Sequence, residues 1–383
     1  MKKIMIISLS NLANEPRVYR QIRLLRDKYE ISTVGFKKNG LENGTFYRVR
    51  VEKNILLRVI YWFMLIFKMF EKAYWLRYKK KGYNRLLKLL SNKKFDLIIA
   101  HDINTLPLAF RISNGAKILF DAHEYHIGRF NDLFLWRMIL QNREKYFCDK
   151  YLKHCDKVIT VCDSIANEYS KNFDIVPEII TNATDYVDLK PSQVNKKSVK
   201  LIYHGRAFSS RKIENVINTM KYLDERYSLD LMLVNNHSKN EIIYTNKLKC
   251  LAKGKKINFL KPVLMKEIVK QTNKYDIGIF ILEPTSESYN FALPNKFFEF
   301  IQARLAIAIG PSPEMAKIVK KYDLGIVTND FNPKTMAREL NNLTEDKIMY
   351  YKNQAYKIAY EMSSAKEMEK LDDIITKLLQ ENK

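Results

Sequence analysis

Short apolar runs alternate with longer segments of helical periodicity along most of the 383-residue chain. This alternation is typical of β-α-β units, which build parallel sheets covered by helices. In the first half the pattern predicts strands at Lys3–Leu9, Glu30–Phe36, Phe95–Ala100, Lys117–Asp121, Lys157–Val161 and Glu178–Thr181. In the second half it predicts strands at Val199–His204, Leu229–Asn235, Ile257–Leu260, Ile277–Leu282, Ala306–Ile309 and Gly325–Val327.

The polar stretch Lys190–Ser198 separates the two series of strands and has the composition of a linker. We therefore expect an α/β protein with two Rossmann-like parallel-sheet domains, one over residues 1–189 and one over residues 190–360. Residues 361–383 are helical in pattern, and we expect this helix to cross back to the N-terminal domain.

The composition excludes a disordered chain, since 46% of the residues are hydrophobic and 28% are charged. The formal net charge is +24, and two thirds of this excess lies in residues 1–100. A charge of this size suggests an anionic partner, which can be nucleic acid, a membrane surface or a phosphorylated substrate.

Much of the positive charge lies in residues 48–88, which contain 12 Lys or Arg and 2 Glu among many aromatic residues. On a single helix, Arg58, Lys68, Lys72 and Lys79 form one stripe and apolar residues cover most of the remaining circumference. The apolar run Val59–Phe67 is too short to span a bilayer. A core helix with a solvated stripe is one interpretation; the other is a helix over residues 55–81 that lies in the interface of an anionic membrane.

The second domain contains two segments suited to binding a nucleotide. Its first strand leads into Gly205–Lys212 just before a helix, where free N–H groups, Arg206 and Lys212 can bind phosphate. Farther along, Pro294 suits the first turn of a helix that carries Glu299. A carboxylate there can accept hydrogen bonds from both hydroxyls of a ribose, although a surface Glu is the simpler interpretation.

In the first domain, polar residues follow two neighbouring strands. His101 and Asp102 follow one strand, and His123 and Glu124 follow the next. The carboxyl ends of parallel strands are where α/β sheets bind their ligands, so these side chains are candidate site residues.

Four segments together resemble a known family. They are Tyr203–Arg206 with Lys212, Leu293–Glu299, Ala122–Glu124 and Ile180–Asp185. Together with the order of predicted strands and helices over nearly the whole chain, they resemble the nucleotide-sugar-dependent glycosyltransferases of family 4, which have the GT-B fold. The resemblance implies two Rossmann-like domains facing a central cleft, with C-terminal helices packing back toward the first domain.

The resemblance also implies roles for individual residues. Arg206 and Lys212 would bind the donor diphosphate and act in catalysis, and Glu299 would bind the ribose. Leu293, Asn295 and Lys296 would complete the donor site. His123 would lie beside the transferred sugar as a catalytic residue.

The chain departs from the family at Phe291, where a Glu that contacts the donor sugar is often found. A second departure is Ile213, where a Gly usually follows the diphosphate-binding Lys. The sugar contacts are therefore expected to differ.

The implied activity is that of a retaining hexosyltransferase that uses a nucleoside-diphosphate sugar. No DxD-like acidic pair is present where a divalent ion would bridge the diphosphate, so we expect no metal and no other cofactor. The basic aromatic segment suggests a lipid-linked glycan acceptor, as in lipopolysaccharide or capsule assembly. Four cysteines without a CxxC pair predict reduced, buried thiols, which fits a cytoplasmic protein bound peripherally to the inner face of the cell membrane.

Three other classes of protein fit part of the sequence. A nucleic-acid-binding protein fits the pI near 9.6, but it predicts charge spread over both domains, so we expect no nucleic-acid partner. A nucleotide-sugar epimerase would need carboxylates flanking the sugar. A non-catalytic membrane scaffold is kept open by Phe291.

Overall fold

The computed structural model describes residues 1–49, 55–78, 82–234 and 238–380. They form two compact units. The first comprises Met1–Thr181, Ser286–Ser288 and Glu367–Lys383, and the second comprises Asn182–Thr285 and Tyr289–Lys366.

The first unit is built on a parallel sheet in which the described residues provide seven strands. These are β1 (Lys3–Ile7), β2 (Glu30–Gly35), β3 (Phe46–Arg48), β4 (Leu97–His101), β5 (Lys117–Ala122), β6 (Lys157–Thr160) and β7 (Glu178–Ile179). Their order is β3-β2-β1-β4-β5-β6-β7, so the order reverses between β1 and β4. The helices of this part of the chain are α1 (Pro16–Leu25), α2 (Ile55–Ile66), α3 (Phe70–Tyr78), α4 (Asn84–Leu90), α5 (Leu106–Ile112), α6 (Gln141–Tyr151) and α7 (Asp163–Phe173).

The second unit has a six-stranded parallel sheet in the described residues. Its strands are β8 (Val199–Arg206), β9 (Tyr227–Val234), β10 (Ile257–Leu260), β11 (Ile277–Phe280), β12 (Ala306–Ile309) and β13 (Gly325–Val327). Their order is β10-β9-β8-β11-β12-β13, with the reversal between β8 and β11. The remaining helices are α8 (Ile213–Thr219), α9 (Lys239–Ala252), α10 (Ile268–Thr272), α11 (Glu287–Asn290), α12 (Asn295–Gln302), α13 (Pro313–Tyr322), α14 (Pro333–Asn341), α15 (Glu345–Ile358) and α16 (Ser364–Gln380).

The last helix completes the core of the first unit. Leu371 and Ile375 of α16 are fully buried in the same cluster as Ile4 and Ile6 of β1. Apolar residues at every third or fourth position of α16 produce this face, as expected of an amphipathic helix.

The predicted fold class is confirmed, and the ends of the predicted strands lie within two residues of the observed ends. Asn235, the predicted last residue of β9, lies outside the described residues. The prediction missed β3, because Phe46–Arg48 is too short and too polar to give an apolar run.

The prediction of one continuous helix over residues 55–81 is wrong. Lys68 has a left-handed backbone with φ 54°, which separates α2 from α3 because it interrupts the helical hydrogen bonds. The predicted stripe of basic residues is therefore divided between two helices, and Lys79 lies outside the described residues. Four residues of α3 are buried, so the core interpretation applies to this helix: Phe70, Ala73, Tyr74 and Tyr78.

Among the helices of the described ranges, none combines the length and the apolar composition that crossing a bilayer requires. The four cysteines are free. Cys148 and Cys162 are buried but Cys250 is exposed, so the prediction that all four are buried is wrong.

Each sheet buries one histidine near the carboxyl end of a strand next to the reversal in strand order. Burial lowers the pKa of His101, at the end of β4, to about 3, although Asp121 opposes this shift. Burial, together with Lys296 and Arg211, lowers the pKa of His204 in β8 to about 3. Both imidazoles are therefore neutral at physiological pH.

We expect both units to lose stability as the pH falls from 7.5 to 5. An unfolded histidine takes up a proton near pH 6.5, whereas His101 and His204 in the folded chain do so only near pH 3. Each histidine therefore lowers the free energy of unfolding by roughly 1.4 kcal/mol for every pH unit below about 6.5. Thermal unfolding of wild type, His101→Gln and His204→Gln across this range measures the effect. If the stability of both variants fell with pH as steeply as that of wild type, the low pKa values assigned to His101 and His204 would be contradicted.

Candidate functional site

The carboxyl end of β8 lies close to the first turn of α12. Gly205 has φ +130°, and a Cβ there would lie 3.1 Å from Lys296 Nζ and 3.2 Å from Arg211 Nη1. The absence of a side chain thus leaves room for two cations beside the backbone. A second close approach positions α12 on the sheet, since a Cβ on Gly278 of β11 would lie 2.5 Å from the ring of Phe300.

Lys296 is the most unusual residue of this cluster. Its side chain is buried, with the residue only 5% exposed, and its ammonium lies 3.9 Å from the ring centre of Tyr203 and 4.2 Å from that of Phe280. Within the described part of the chain, Nζ has no hydrogen-bond partner. Burial and the charge of Arg211 lower the pKa of Lys296 well below its usual value, although Glu299 opposes them. The site therefore holds a buried amine that an anion would stabilise in its charged form.

Arg206, the last residue of β8, adds a second charge to this edge of the sheet. Its guanidinium donates a hydrogen bond of 3.1 Å to Glu241 in α9 and lies 4.3 Å from the ring centre of Phe208. The Arg206 side chain is partly exposed, so it is available to a ligand.

The structure brings Arg211, rather than Lys212, into contact with Gly205. Lys212 has φ 49° and precedes α8, and its neighbour Ile213 donates its N–H to the hydroxyl of Tyr244 at 2.9 Å. Arg211 lies near Tyr203 as well as Gly205. The role that the family resemblance implies for Lys212 stays a prediction, and the turn at Ser209–Arg211 places its neighbour close to Gly205.

Glu299 lies one turn along α12 from Lys296 and is almost fully buried. One of its carboxylate oxygens, Oε2, is 3.6 Å from Nδ1 of His204, whose ring packs edge-on against Phe300. The other predicted donor-site residues lie just before this turn: Leu293 is buried, and Asn295 keeps its side-chain oxygen buried without a hydrogen-bond partner in the described residues. The second unit therefore gathers Arg206, Lys296 and Glu299 from the predicted set.

In the first unit, two histidines and one aspartate meet at the ends of β4 and β5. His101 Nδ1 is 2.9 Å from His123 Nε2 and 3.4 Å from Asp121 Oδ2. His123 is the least buried of the three, which leaves its ring accessible to a ligand. The candidate His123 is thus part of a network that also includes His101.

Asp121 organises this network, and the sequence analysis did not identify it as a site residue. Arg17 Nε donates to both carboxylate oxygens at 2.9 and 2.8 Å, and Gln21 Nε2 donates to Oδ2 at 2.6 Å. Although burial raises its pKa, Arg17 and the two histidines hold the pKa of Asp121 at about 2. Its position as the last residue of a predicted strand was the one signal available.

The same three residues bring potential metal ligands within 4.8 Å of one another. Both oxygens of Asp121 already accept hydrogen bonds from the Arg17 guanidinium. That fixed positive charge opposes a second cation, so the geometry favours a hydrogen-bond network. The expectation that no metal is needed stays a prediction.

A cavity of about 340 Å³ opens beside His123. Its polar lining includes Ser8, Ser10, Glu15, Asp102 and Arg129. Burial raises the pKa of Glu15, and Asp102 adds to the rise while His123 opposes it. Hydroxyls, carboxyls and an imidazole around one cavity suit a ligand with many hydroxyl groups.

Asp102 has an unusual backbone for a residue other than glycine, with φ 66° and ψ 153°. Its Oδ1 is 3.3 Å from Nε2 of His126. Glu124, by contrast, forms an exposed ion pair of 3.0 Å with Arg129. Backbone strain of this kind is concentrated at functional sites, which supports Asp102 over Glu124.

Comparison with known proteins gives a family match for the first unit. Residues 22–186 match the family model described as Glycosyltransferase Family 4. The match includes β2 through β7, and therefore His101, Asp121 and His123.

Solved structures share the fold over nearly the whole chain. A sucrose-phosphate synthase from Thermosynechococcus elongatus has a TM-score of 0.72 at 11% identity, with 99% of each chain covered. WaaG, a glycosyltransferase involved in lipopolysaccharide biosynthesis, has a TM-score of 0.65 at 11% identity, with 97% of this chain and 99% of WaaG covered. Anabaena HepE in complex with UDP has a TM-score of 0.70 at 10% identity, with 98% of this chain and 100% of HepE covered.

The two sheets explain this likeness, because both are parallel and each reverses its strand order once. With the family match over residues 22–186, this shared architecture shows that the chain has the two-domain, Rossmann-like GT-B fold.

Proposed function

We propose that the protein transfers a hexosyl group from a nucleoside-diphosphate sugar to a lipid-linked glycan, with retention of the anomeric configuration. The observation that carries the proposal is the buried amine of Lys296 beside Gly205, next to Arg206 and Arg211. A diphosphate is the ligand that best matches a cluster of several cations. The complex of HepE with UDP supports a nucleotide donor.

The cationic cluster has a direct role in the reaction. When the bond between the sugar and the diphosphate breaks, negative charge grows on the leaving diphosphate. Arg206, Arg211 and Lys296 are held in place before the reaction, so they can stabilise this charge without reorganisation. Burial of Lys296 strengthens its interaction with an anion because the surroundings have a low dielectric constant.

Glu299 is the proposed ribose ligand. Its carboxylate is buried beside the neutral imidazole of His204 and one helical turn from Lys296. The two oxygens of a carboxylate match the two hydroxyls of a ribose. Leu293 and Asn295 precede Glu299 and complete the proposed donor site.

His123 is proposed to contact the transferred sugar. The supporting observations are its accessible ring, its hydrogen bond with His101 and the polar cavity beside it. Electrostatic assistance by Arg206, Arg211 and Lys296 removes the need for a metal ion at the diphosphate, so we propose a metal-independent reaction.

The membrane-bound acceptor is proposed from helix α2. This helix exposes Ile55, Leu56, Val59, Phe63 and Ile66, and the next residue, Phe67, is also exposed, while Tyr61 and Leu65 anchor the helix to the unit. An exposed apolar face beside basic residues is typical of helices that bind anionic membranes. This supports the prediction that residues 55–81 attach the enzyme to the inner face of the cell membrane. Surface polysaccharides such as lipopolysaccharide or capsule are assembled there. Within this range, Lys79–Lys81 lie outside the described residues.

Two buried lysines of the second unit allow a matched test of the donor site. Lys296→Met removes an amine without a hydrogen-bond partner, so we expect the free protein to gain about 1 kcal/mol or more of stability. Lys352→Met removes an ammonium that donates to Ser192 Oγ and Tyr275 O at 2.8 Å, and it should cost about 3–5 kcal/mol.

Thermal unfolding of wild type and of both variants measures the changes in stability. Repeating it with UDP, GDP, CDP, ADP or dTDP, each in the presence of EDTA, measures nucleotide binding. A nucleotide that binds the folded state raises the unfolding temperature. We expect a shift with at least one nucleotide in wild type and in Lys352→Met, and none in Lys296→Met. Failure of all five nucleotides to shift wild type would favour a non-catalytic scaffold.

Arg211 and Lys212 provide a second comparison. We expect Arg211→Ala to weaken nucleotide binding about tenfold or more, because Arg211 lies beside Gly205 and Lys296. Lys212→Ala should change the affinity by less than about threefold. Titration calorimetry with the nucleotide found by thermal shift gives both values, and the reverse order would favour Lys212 as the diphosphate ligand that the family resemblance implies.

Substitution of His123 tests the sugar contact. We expect His123→Ala to lower the transfer rate by about 100-fold, since positioned groups of this kind contribute at least that much. The nucleotide affinity should be unchanged, because the residues assigned to the nucleotide lie in the second unit. Glu124→Ala, next in sequence and paired on the surface with Arg129, is the matched control. The product's anomeric configuration, read by NMR, tests retention in the same assay.

A further inference from the structure

Exposed apolar side chains are concentrated in two short segments of the first unit. Among the described residues, twelve of the 25 exposed large apolar side chains lie in residues 55–67 and 130–138. The first segment is α2. The second follows β5, and its exposed members are Phe130, Leu133, Phe134, Leu135 and Met138, which are 46% to 70% exposed.

The two segments are neighbours in the structure. Helix α2 packs against the π-helical turn Trp136–Leu140, which continues directly into α6. Tyr61 of α2 accepts a hydrogen bond of 2.6 Å from Arg143 of α6. The exposed side chains therefore lie on two elements that pack against each other, and together we call them the apolar face (residues 55–67 and 130–138).

The segment 130–138 is held in an ordered conformation that presents these side chains. Trp136 is buried and packs edge-on against Phe130 at 6.3 Å. Phe130 has φ 133°, a strained conformation for a large side chain. Arg137 donates to the carbonyl of Asn131 at 2.9 Å. A strained segment that exposes five neighbouring large apolar residues is costly in water unless a partner covers it.

Charge around the apolar face identifies the partner. Residues 55–78 contain four basic residues and one acidic residue, and residues 129–138 contain two basic residues and one acidic residue. The single acid of residues 55–78, Glu71, is paired with Lys150 at 2.7 Å. Two copies of this positive surface would repel each other, whereas anionic lipid headgroups attract it and acyl chains cover the apolar side chains.

We infer that residues 130–138 insert into an anionic lipid bilayer together with α2, as a second membrane-binding element. The inference rests on the membrane-bound acceptor proposed above. It also links the membrane to the polar cavity, because Arg129 lines that cavity and immediately precedes Phe130. The glycan of a lipid-linked acceptor thus reaches the cavity while its lipid stays in the bilayer.

Vesicle co-sedimentation of the full chain tests the inference. The vesicles contain phosphatidylcholine alone or with about one third phosphatidylglycerol. We expect Phe134→Ser/Leu135→Ser to weaken binding to the anionic vesicles about tenfold or more, because two large apolar side chains are lost from the bilayer. The matched control, Ile243→Ser/Leu264→Ser, changes side chains that are 58% and 63% exposed in the second unit and should bind like wild type.

A third variant separates the two elements. Phe63→Ser/Phe67→Ser should weaken binding by a similar factor if both segments insert. Loss of binding in this variant alone would overturn the inference and leave α2 as the sole anchor. Concentration-dependent dimers of wild type that dissociate in Phe134→Ser/Leu135→Ser, without vesicle binding, would also overturn it.

The nucleotide thermal shift keeps this test independent of the proposed activity. An unchanged shift in Phe134→Ser/Leu135→Ser shows that the variant is folded and that its donor site is intact. Vesicle binding by a wild type that shifts with no nucleotide would support the membrane surface and reject the transferase.

Discussion

The amine of Lys296 lies against two aromatic rings and beside a glycine, and it has no hydrogen-bond partner in the described residues. A folded protein tolerates such a group only when the rest of the domain compensates for it. The parallel sheet of the second unit supplies this compensation, since β8 and β11 are buried and α12 packs closely on Gly278. The sheet thus holds a charge arrangement that is unfavourable without a ligand.

In the first unit, the buried charge that the fold must stabilise is the carboxylate of Asp121. This carboxylate is fully buried, yet it accepts hydrogen bonds from Arg17 and Gln21 of α1 and lies 3.4 Å from His101. Arg17 also donates to the carbonyl of Ile180 at 2.7 Å. One buried negative charge therefore fixes a helix, two strands and the chain after β7, and His123 is positioned by this network.

The alternation of apolar and helical segments predicted both sheets well, because buried parallel strands are nearly continuous apolar runs. It could not predict the break between α2 and α3 at Lys68, because a residue with a left-handed backbone does not change the pattern of apolar residues. Nor could it predict that Arg211 lies beside Gly205, because residue spacing does not show the direction of the turn at Ser209–Arg211. Residues 130–138 were missed for a similar reason: a short apolar stretch resembles core until the structure shows that only Trp136 is buried.

The position of α16 has a consequence for the order of folding. The first unit begins with β1, but its core includes Leu371 and Ile375, which are more than 360 residues farther along the chain. Domains formed by one continuous segment can fold while synthesis proceeds. Here the first unit stays incomplete until α16 has left the ribosome, so the second unit, whose segments end at Lys366, is the first to have all its residues available for folding.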